Sequence, residues 1–410
     1  MSALWKCKKI KTKNIAYISR MPNKKYCPIP FFSAEIFSNN ITKLCCVSDT
    51  KIETTGAKFK DFWMSKTMTD IRKNMLNGKG SEHCRSCYAK EESGTKSMRQ
   101  FSFEDMGYVN SPYSFPTHLQ LKASNICNLK CIMCSSTYST KWNEDIDWIS
   151  GMHYMEKNKT YQLEKNKLKA LIDDFLLHNP LQNKILELYG GESMLAKNFW
   201  NVLEQYPKKQ LQQIIFTTHT NATILDRKHL QNIVKFKESI IQLSIDGIDD
   251  VFEYVRFPGK WALTHKIIQK YLNYQKNFSN IKINITFTLT SFSAIGLTNF
   301  IAYCRYHKIL YHINVADIAF DQQAAEISRD AYTHPAALPV ILKNKILADL
   351  EQLKDKNTLK IVRLAFSQTL NDNTYKNFPK FCALIKKHRK VDFESLCSKY
   401  YGVKFEQIYT

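Results

Sequence analysis

From residue 117 onward the chain alternates short runs rich in β-branched residues with longer amphipathic ones, and this alternation limits the fold more than any other feature. Strands are expected near 117–123, 185–189, 213–218, 239–245, 281–289 and 311–317. Helices are expected near 160–178, 197–205, 225–236, 260–277 and 294–308, and through much of 337–355. Strands separated by stretches long enough for a helix pair in parallel, because a parallel connection has to cross back over the sheet. The expected fold is therefore α/β, with a parallel sheet and crossover helices.

The first of these strands runs into a loop, LKASNICNLKCIMCSSTYSTKW, that places Cys127, Cys131 and Cys134 in C-x3-C-x2-C spacing. A [4Fe-4S] cluster is normally held by four cysteines, so a compact set of three implies an iron whose fourth ligand is not protein, where a small molecule binds. Zinc is the alternative. Structural zinc takes paired C-x2-4-C or Cys/His ligands, however, and no matching second pair follows closely.

The strand, the loop and the cysteine spacing resemble the signature of the radical S-adenosylmethionine (SAM) superfamily. The resemblance implies an open, partial (β/α)6 TIM-like barrel and a [4Fe-4S] cluster whose open iron chelates the amino and carboxylate groups of S-adenosyl-L-methionine. It implies reductive cleavage of SAM to methionine and a 5′-deoxyadenosyl radical that takes hydrogen from a substrate. Met133, standing before the third cysteine, would contact the adenine through its backbone.

Active groups in such barrels lie at the carboxyl ends of the strands. After the second strand, LELYGGES supplies Gly190, Gly191 and Glu192, similar to the family's GGE motif. Two glycines let backbone approach a ligand closely, and carbonyls there accept from an ammonium such as the methionyl amine. The third strand ends in FTTHTNAT, so Thr218 and Asn221 are expected at the same mouth. The fourth ends at Ser244 and Asp246, with Arg256 after it. By resemblance, Ser244 would bond the ribose or methionyl end of SAM. Arg256, whose fork suits a carboxylate, would pair with the SAM carboxylate. Asn221 and Asp246 are also ordinary turn residues, and His219 reads equally as structural. Asn314 and Asp317, at the end of the sixth strand, carry no assigned role.

The chain has 12 cysteines in 410 residues. Such a count suggests disulfides in a small exported protein, and metal ligation in a chain of this size. Cys7, Cys27, Cys45, Cys46, Cys84 and Cys87 precede the triplet. The segment from Cys27 to Cys45–Cys46 reads as a β-hairpin about Asn39-Asn40, followed by an amphipathic helix from Phe59 and a C-x2-C pair, Cys84 and Cys87. Cys27, Cys45, Cys84 and Cys87 make four candidate ligands, with Cys46 competing for the second place. This arrangement resembles the auxiliary-cluster modules called SPASM and twitch domains and implies a second [4Fe-4S] cluster; four cysteines also suit structural zinc. Cys304, Cys382 and Cys397 are scattered and read as buried thiols or as hydrogen-atom donors. The expected organisation is a basic lead-in (1–25), a cysteine-rich hairpin and helix module (26–110), the radical SAM core (111–324) and a helical C-terminal extension (325–410).

No run of about 18 apolar residues occurs, and the basic amino terminus lacks the apolar stretch of a secretory signal, so no membrane contact and a cytoplasmic location are expected. The net charge is +22, from 59 Lys+Arg against 37 Asp+Glu, with the lysines spread rather than blocked, which weighs against a nucleic-acid partner. The expected activity is a radical SAM reaction on a peptide or protein, hypothetically an acidic one, with a low-potential electron donor such as flavodoxin or ferredoxin. A small-molecule or nucleic-acid-base substrate, and a non-enzymatic zinc module contacting nucleic acid, are the alternatives.

Overall fold

All six expected core strands form, and they join a larger sheet. The computed structural model describes residues 21–37, 41–48, 52–53, 59–92, 96–107, 115–149, 156–178, 184–316, 332–390 and 392–404. Cys7, Asp317 and most of the lead-in lie outside them. The strands are β1 (Ser33–Ile36), β2 (Ile41–Lys43), β3 (Ile52–Glu53), β4 (His118–Lys122), β5 (Lys184–Tyr189), β6 (Ile214–Thr220), β7 (Glu238–Ser244), β8 (Ile281–Leu289) and β9 (Leu310–Val315). They lie in the order β3-β2-β1-β4-β5-β6-β7-β8-β9. From β4 to β9 every pairing is parallel. The described residues thus form an open α/β sheet of the partial-barrel kind.

Among the described residues, the helices of seven residues or more are α1 (Lys66–Leu76), α2 (Arg85–Glu92), α3 (Met98–Met106), α4 (Lys165–Leu177), α5 (Lys197–Leu203), α6 (Arg227–Ile233), α7 (Asp249–Val255), α8 (Trp261–Asn277), α9 (Leu297–Tyr306), α10 (Val340–Gln352), α11 (Lys356–Phe366), α12 (Asp372–Arg389) and α13 (Phe393–Tyr401). Their starts obey local chemistry. Ser65 caps α1 by accepting from Met68 N, Ser97 and Gln100 close a capping box on α3, and Asn371 caps α12.

The segment 26–110, expected as a module, shares its sheet with the strands of the barrel. β1 and β2 pair antiparallel, with the expected turn residues Asn39 and Asn40 outside the described residues, and β1 then pairs in parallel with β4, Ser33 opposite His118 and Ile36 opposite Leu121. Ile29, Phe32, Ala34, Trp63 and Met75 belong to the same hydrophobic core as the barrel and the C-terminal helices.

Alternation along the strands separates two faces. Leu119, Leu121, Leu186, Leu188, Phe216, Leu243 and Ile285 are fully buried under the helices, each such side chain contributing about 1.5–3 kcal/mol. The opposite face carries Gln120, Glu187, His219, Ser244, Thr286 and Thr288, and these line a cavity. Polar groups inside a sheet are costly unless they bond to one another or to a ligand, so this face is where a functional site is sought.

Candidate functional site

The cavity, of about 790 Å³, opens at the carboxyl ends of the strands, and Cys127, Cys131 and Cys134 form part of its wall. The loop that carries them is held from several sides. Lys130 N donates to Phe257 O and Ile132 N to Val255 O, both at 2.8 Å. Ser139 Oγ donates to Leu129 O at 2.6 Å. Asn125 closes the far side through Lys159 O and Tyr161 N, both at 3.0 Å.

Three donors point at the sulfurs: Leu129 N to Cys127 Sγ at 3.4 Å, Asn221 Nδ2 to Cys127 Sγ at 4.0 Å and Arg256 Nη1 to Cys131 Sγ at 3.9 Å. Such donors suit sulfur that carries negative charge. Burial pushes the thiols up, Cys131 to about 12, with the neighbouring cysteines adding to the effect for Cys127. These thiols therefore ionise when a cation replaces their protons. Among the described residues, no three ligand-type side chains are gathered as for a single metal ion. A cubane, which takes one thiolate at each of its corners, asks for a wider set, and the donor chemistry fits it.

The glycine motif is explained by packing. Gly190 has φ +90° and Gly191 φ +51°, and a Cβ on Gly191 would stand 2.3 Å from Ile126 O, next to Cys127. A Cβ on Gly190 would stand 2.3 Å from Lys122 Cγ. Only glycine lets the end of β5 pass beneath the cysteine loop, where Glu192 N donates to Ile126 O at 2.8 Å. Both glycines line the cavity.

Glu192 corrects the expectation of a direct cofactor contact. It is buried, and its carboxylate accepts from Thr220 Oγ1 (2.6 Å), Met194 N (3.0 Å) and Asn221 N (2.7 Å). A carboxylate so fully engaged holds the end of β6 in place and does not face the ligand space. Thr218 also departs from expectation: it is fully buried and off the cavity, and His219, Thr220 and Asn221 line it instead. Asn221 bonds the cysteine loop through Asn128 Oδ1 at 2.9 Å. Ser244, Met133 and Asn314 line the cavity as well. Arg256 reaches the cavity with one arm held by Asp246 Oδ2 at 2.6 Å, while Asp246 Oδ1 accepts from Thr288 N at 2.7 Å. Asp246 is therefore a support for Arg256.

Cys27, Cys45, Cys84 and Cys87 line one small pocket with Met98 and Arg99. Ser48 Oγ donates to His83 O at 3.2 Å, which ties the hairpin to the C-x2-C segment. Cys46 lines the large cavity but not the small pocket, whereas Cys45 lines both. The large cavity thus runs from the first cysteine set to the edge of the second. Cys304, Cys382 and Cys397 are buried in the apolar core, away from both.

One group was absent from the sequence expectations. Glu187, on the cavity-facing side of β5, accepts from Gln120 Nε2 at 3.2 Å and lies 2.8 Å from His118 Nε2 and 3.0 Å from His219 Nε2. Burial opposes its charge, but the bonds from His118 and His219 win and hold the carboxyl well below the usual range. The only signal in sequence is a glutamate inside the apolar run ILELY. Lys122 is a second such group: fully buried, its ammonium lies 3.6 Å from the Phe37 ring and 3.7 Å from the Tyr138 ring, and burial pulls its pKa to about 7.

An open parallel α/β sheet carries three cysteines and a double glycine at its carboxyl edge, and residues 121–290 of the chain match the Radical SAM superfamily. The uncharacterized protein MJ0907 of Methanocaldococcus jannaschii is 29% identical over 208 residues, covering 50% of this chain and 62% of that protein. The chain thus spans less than two thirds of this relative. Two solved structures are also similar: native anSMEcpe with bound AdoMet (18% identity, 58% of this chain and 60% of that one, TM-score 0.40), and SuiB of Streptococcus suis bound to S-adenosylmethionine (16% identity, 80% and 69%, TM-score 0.39).

Proposed function

We propose that the chain is a radical SAM enzyme acting on a peptide or protein, with an auxiliary [4Fe-4S] cluster on Cys27, Cys45, Cys84 and Cys87. The observation that carries this reading is the meeting of Cys127, Cys131, Cys134, Gly190, Gly191 and Arg256 on one cavity that also reaches Cys45. When bound, the first cluster supplies the electron that splits SAM into methionine and the 5′-deoxyadenosyl radical, which takes a hydrogen atom from the substrate.

The chain's own residues bind and orient. The backbone at Gly190 and Gly191 receives the methionyl ammonium, Arg256, with Nη2 held by Asp246, turns Nη1 on the Cys131 side toward the carboxylate, and Ser244 bonds the ribose or methionyl end. Met133 contributes backbone to the adenine. Asn221, positioned by Glu192, fixes the wall between the cluster and the cosubstrate.

His219 lines the cavity, and the ionised Glu187 accepts at its Nε2. A carboxylate acceptor takes the proton on Nε2, which leaves Nδ1 for a second partner. His219 is the group placed to accept a proton or hydrogen bond from the substrate, with His118 and Gln120 steadying Glu187. A low-potential donor of the flavodoxin or ferredoxin kind would supply the electron, and the net charge of +22 favours an acidic donor or substrate.

The test is mass spectrometry of candidate peptides after anaerobic reaction with SAM and dithionite. A mass change in a peptide together with 5′-deoxyadenosine supports the reading, whereas 5′-deoxyadenosine with every peptide unchanged would redirect it to a small-molecule substrate.

A further inference from the structure

Arg389 stands far from the matched domain in sequence, yet it ends α12 against the back of the cysteine loop. Its side chain is 1% exposed, and Nη2 lies 3.4 Å from Asp145 Oδ2. The guanidinium lies 4.6 Å from the Trp142 ring centre and 5.2 Å from that of Phe257, whose carbonyl receives Lys130 N. The preceding residue, His388, stacks on Trp148 at 4.3 Å and nearly parallel, which fixes the helix end to the same loop. Among the described residues, Nε and Nη1 of Arg389 have no hydrogen-bond partner.

A buried guanidinium with two unpaired nitrogens is costly unless a negative group compensates it. Asp145 compensates only in part, because its other oxygen lies 2.5 Å from Lys130 Nζ, so one carboxylate serves two buried cations. Glu144 reaches Lys130 at 3.4 Å, but from a half-exposed position where water screens it. On the cavity side Arg256 and Asp246 neutralise each other. Arg256 and Arg389 act on Cys131 as positive charges and Asp246 as a negative one, while the buried carboxylate of Glu192 lies beside Cys127.

We propose that Arg389 is a positioning residue of the cluster site. With Asp145 it braces the loop, and as the buried cation behind Cys131 it shifts a bound cluster toward its reduced form, since a fixed positive charge favours the state that has gained an electron. This rests on the cluster reading above and extends the site to a helix outside the matched domain.

The test is an anaerobic EPR redox titration of the reconstituted full chain. At the wild-type midpoint, Arg389→Met lowers the ratio of reduced to oxidised cluster tenfold or more, about 59 mV for a one-electron couple. Arg389→Lys keeps the charge and stays near wild type. Asp145→Asn, which removes the compensating carboxylate, moves the ratio the opposite way, and it decides the matter if Arg389→Met fails to load iron. Normal iron content with an unchanged ratio in Arg389→Met overturns the inference alone, as does a shift of the same sign in all three variants. A wild-type chain that takes up no iron overturns the cluster reading and this inference with it.

Discussion

At Gly191 the end of β5 and the cysteine loop approach so closely that one methyl group decides the outcome. Gly191→Ala places a Cβ against the Ile126 carbonyl at a positive φ, so it is expected to cost about 1–3 kcal/mol and to lower iron uptake, read by thermal melting and iron analysis. Gly190→Ala, also at a positive φ, meets Lys122 Cγ and stands 3.0 Å from the Ser124 carbonyl, a looser backbone approach, and is expected to disturb the cluster less. Glu187→Gln keeps size but removes the charge that orients His219. Product formation is expected to fall about 100-fold or more, while SAM cleavage without substrate stays near wild type, both measured by chromatography. Lys122 supplies a pH signature: its pKa in the fold is about 7, below the value of about 10.4 in an unfolded chain. The unfolded state therefore binds the extra proton between those values, and the Lys122 contribution to the stability of the metal-free protein rises as pH climbs from about 7 to 10, while the buried thiols, whose pKa is pushed up, contribute in the opposite direction above about 8.5. Thermal melts of Lys122→Met are expected to lose that rise. The cysteines and the double glycine were legible because their chemistry lies in adjacent residues. The roles of Glu187 and Glu192 were not, because each is set by partners on neighbouring strands, His118 and His219 for one and Thr220 and Asn221 for the other.

At the scale of elements, the hairpin and the C-x2-C segment carry a separable prediction. Cys45 shares the small pocket with Cys27, Cys84 and Cys87, and Cys46 does not. Cys45→Ser is expected to remove about half of the iron, one of two cubanes, while Cys46→Ser keeps it; iron and sulfide analysis of reconstituted protein reads both. Equal loss in the two variants would contradict the assignment. Strand positions were legible in the sequence to within a few residues, since β-branched runs bounded by turn residues mark them well. The parallel pairing of β1 with β4 was not, because so short a strand has no local signal for its partner. The C-terminal helices were expected as a cover for the barrel. That α12 carries Arg389 to the cysteine loop depends on packing such as Phe292 on Phe378 and Phe393, at 5.4 and 5.2 Å, which no periodicity shows.

Across the whole molecule, one sheet presents an apolar face to the helices and a polar face to a cavity, and two cysteine sets border that cavity. Among the described residues no helix is long and apolar enough to cross a membrane. The proposed chemistry converges on Cys127, Cys131 and Cys134 as the holders of a cubane with one corner open to SAM. The most direct measurement is EPR of the anaerobically reconstituted, dithionite-reduced chain with and without SAM, together with chromatography for 5′-deoxyadenosine. A [4Fe-4S] signal that changes on addition of SAM, with 5′-deoxyadenosine formed by wild type and absent in Cys131→Ala, is the predicted result. A wild-type chain that binds zinc without iron, or a cubane signal indifferent to SAM with no 5′-deoxyadenosine, would contradict the account.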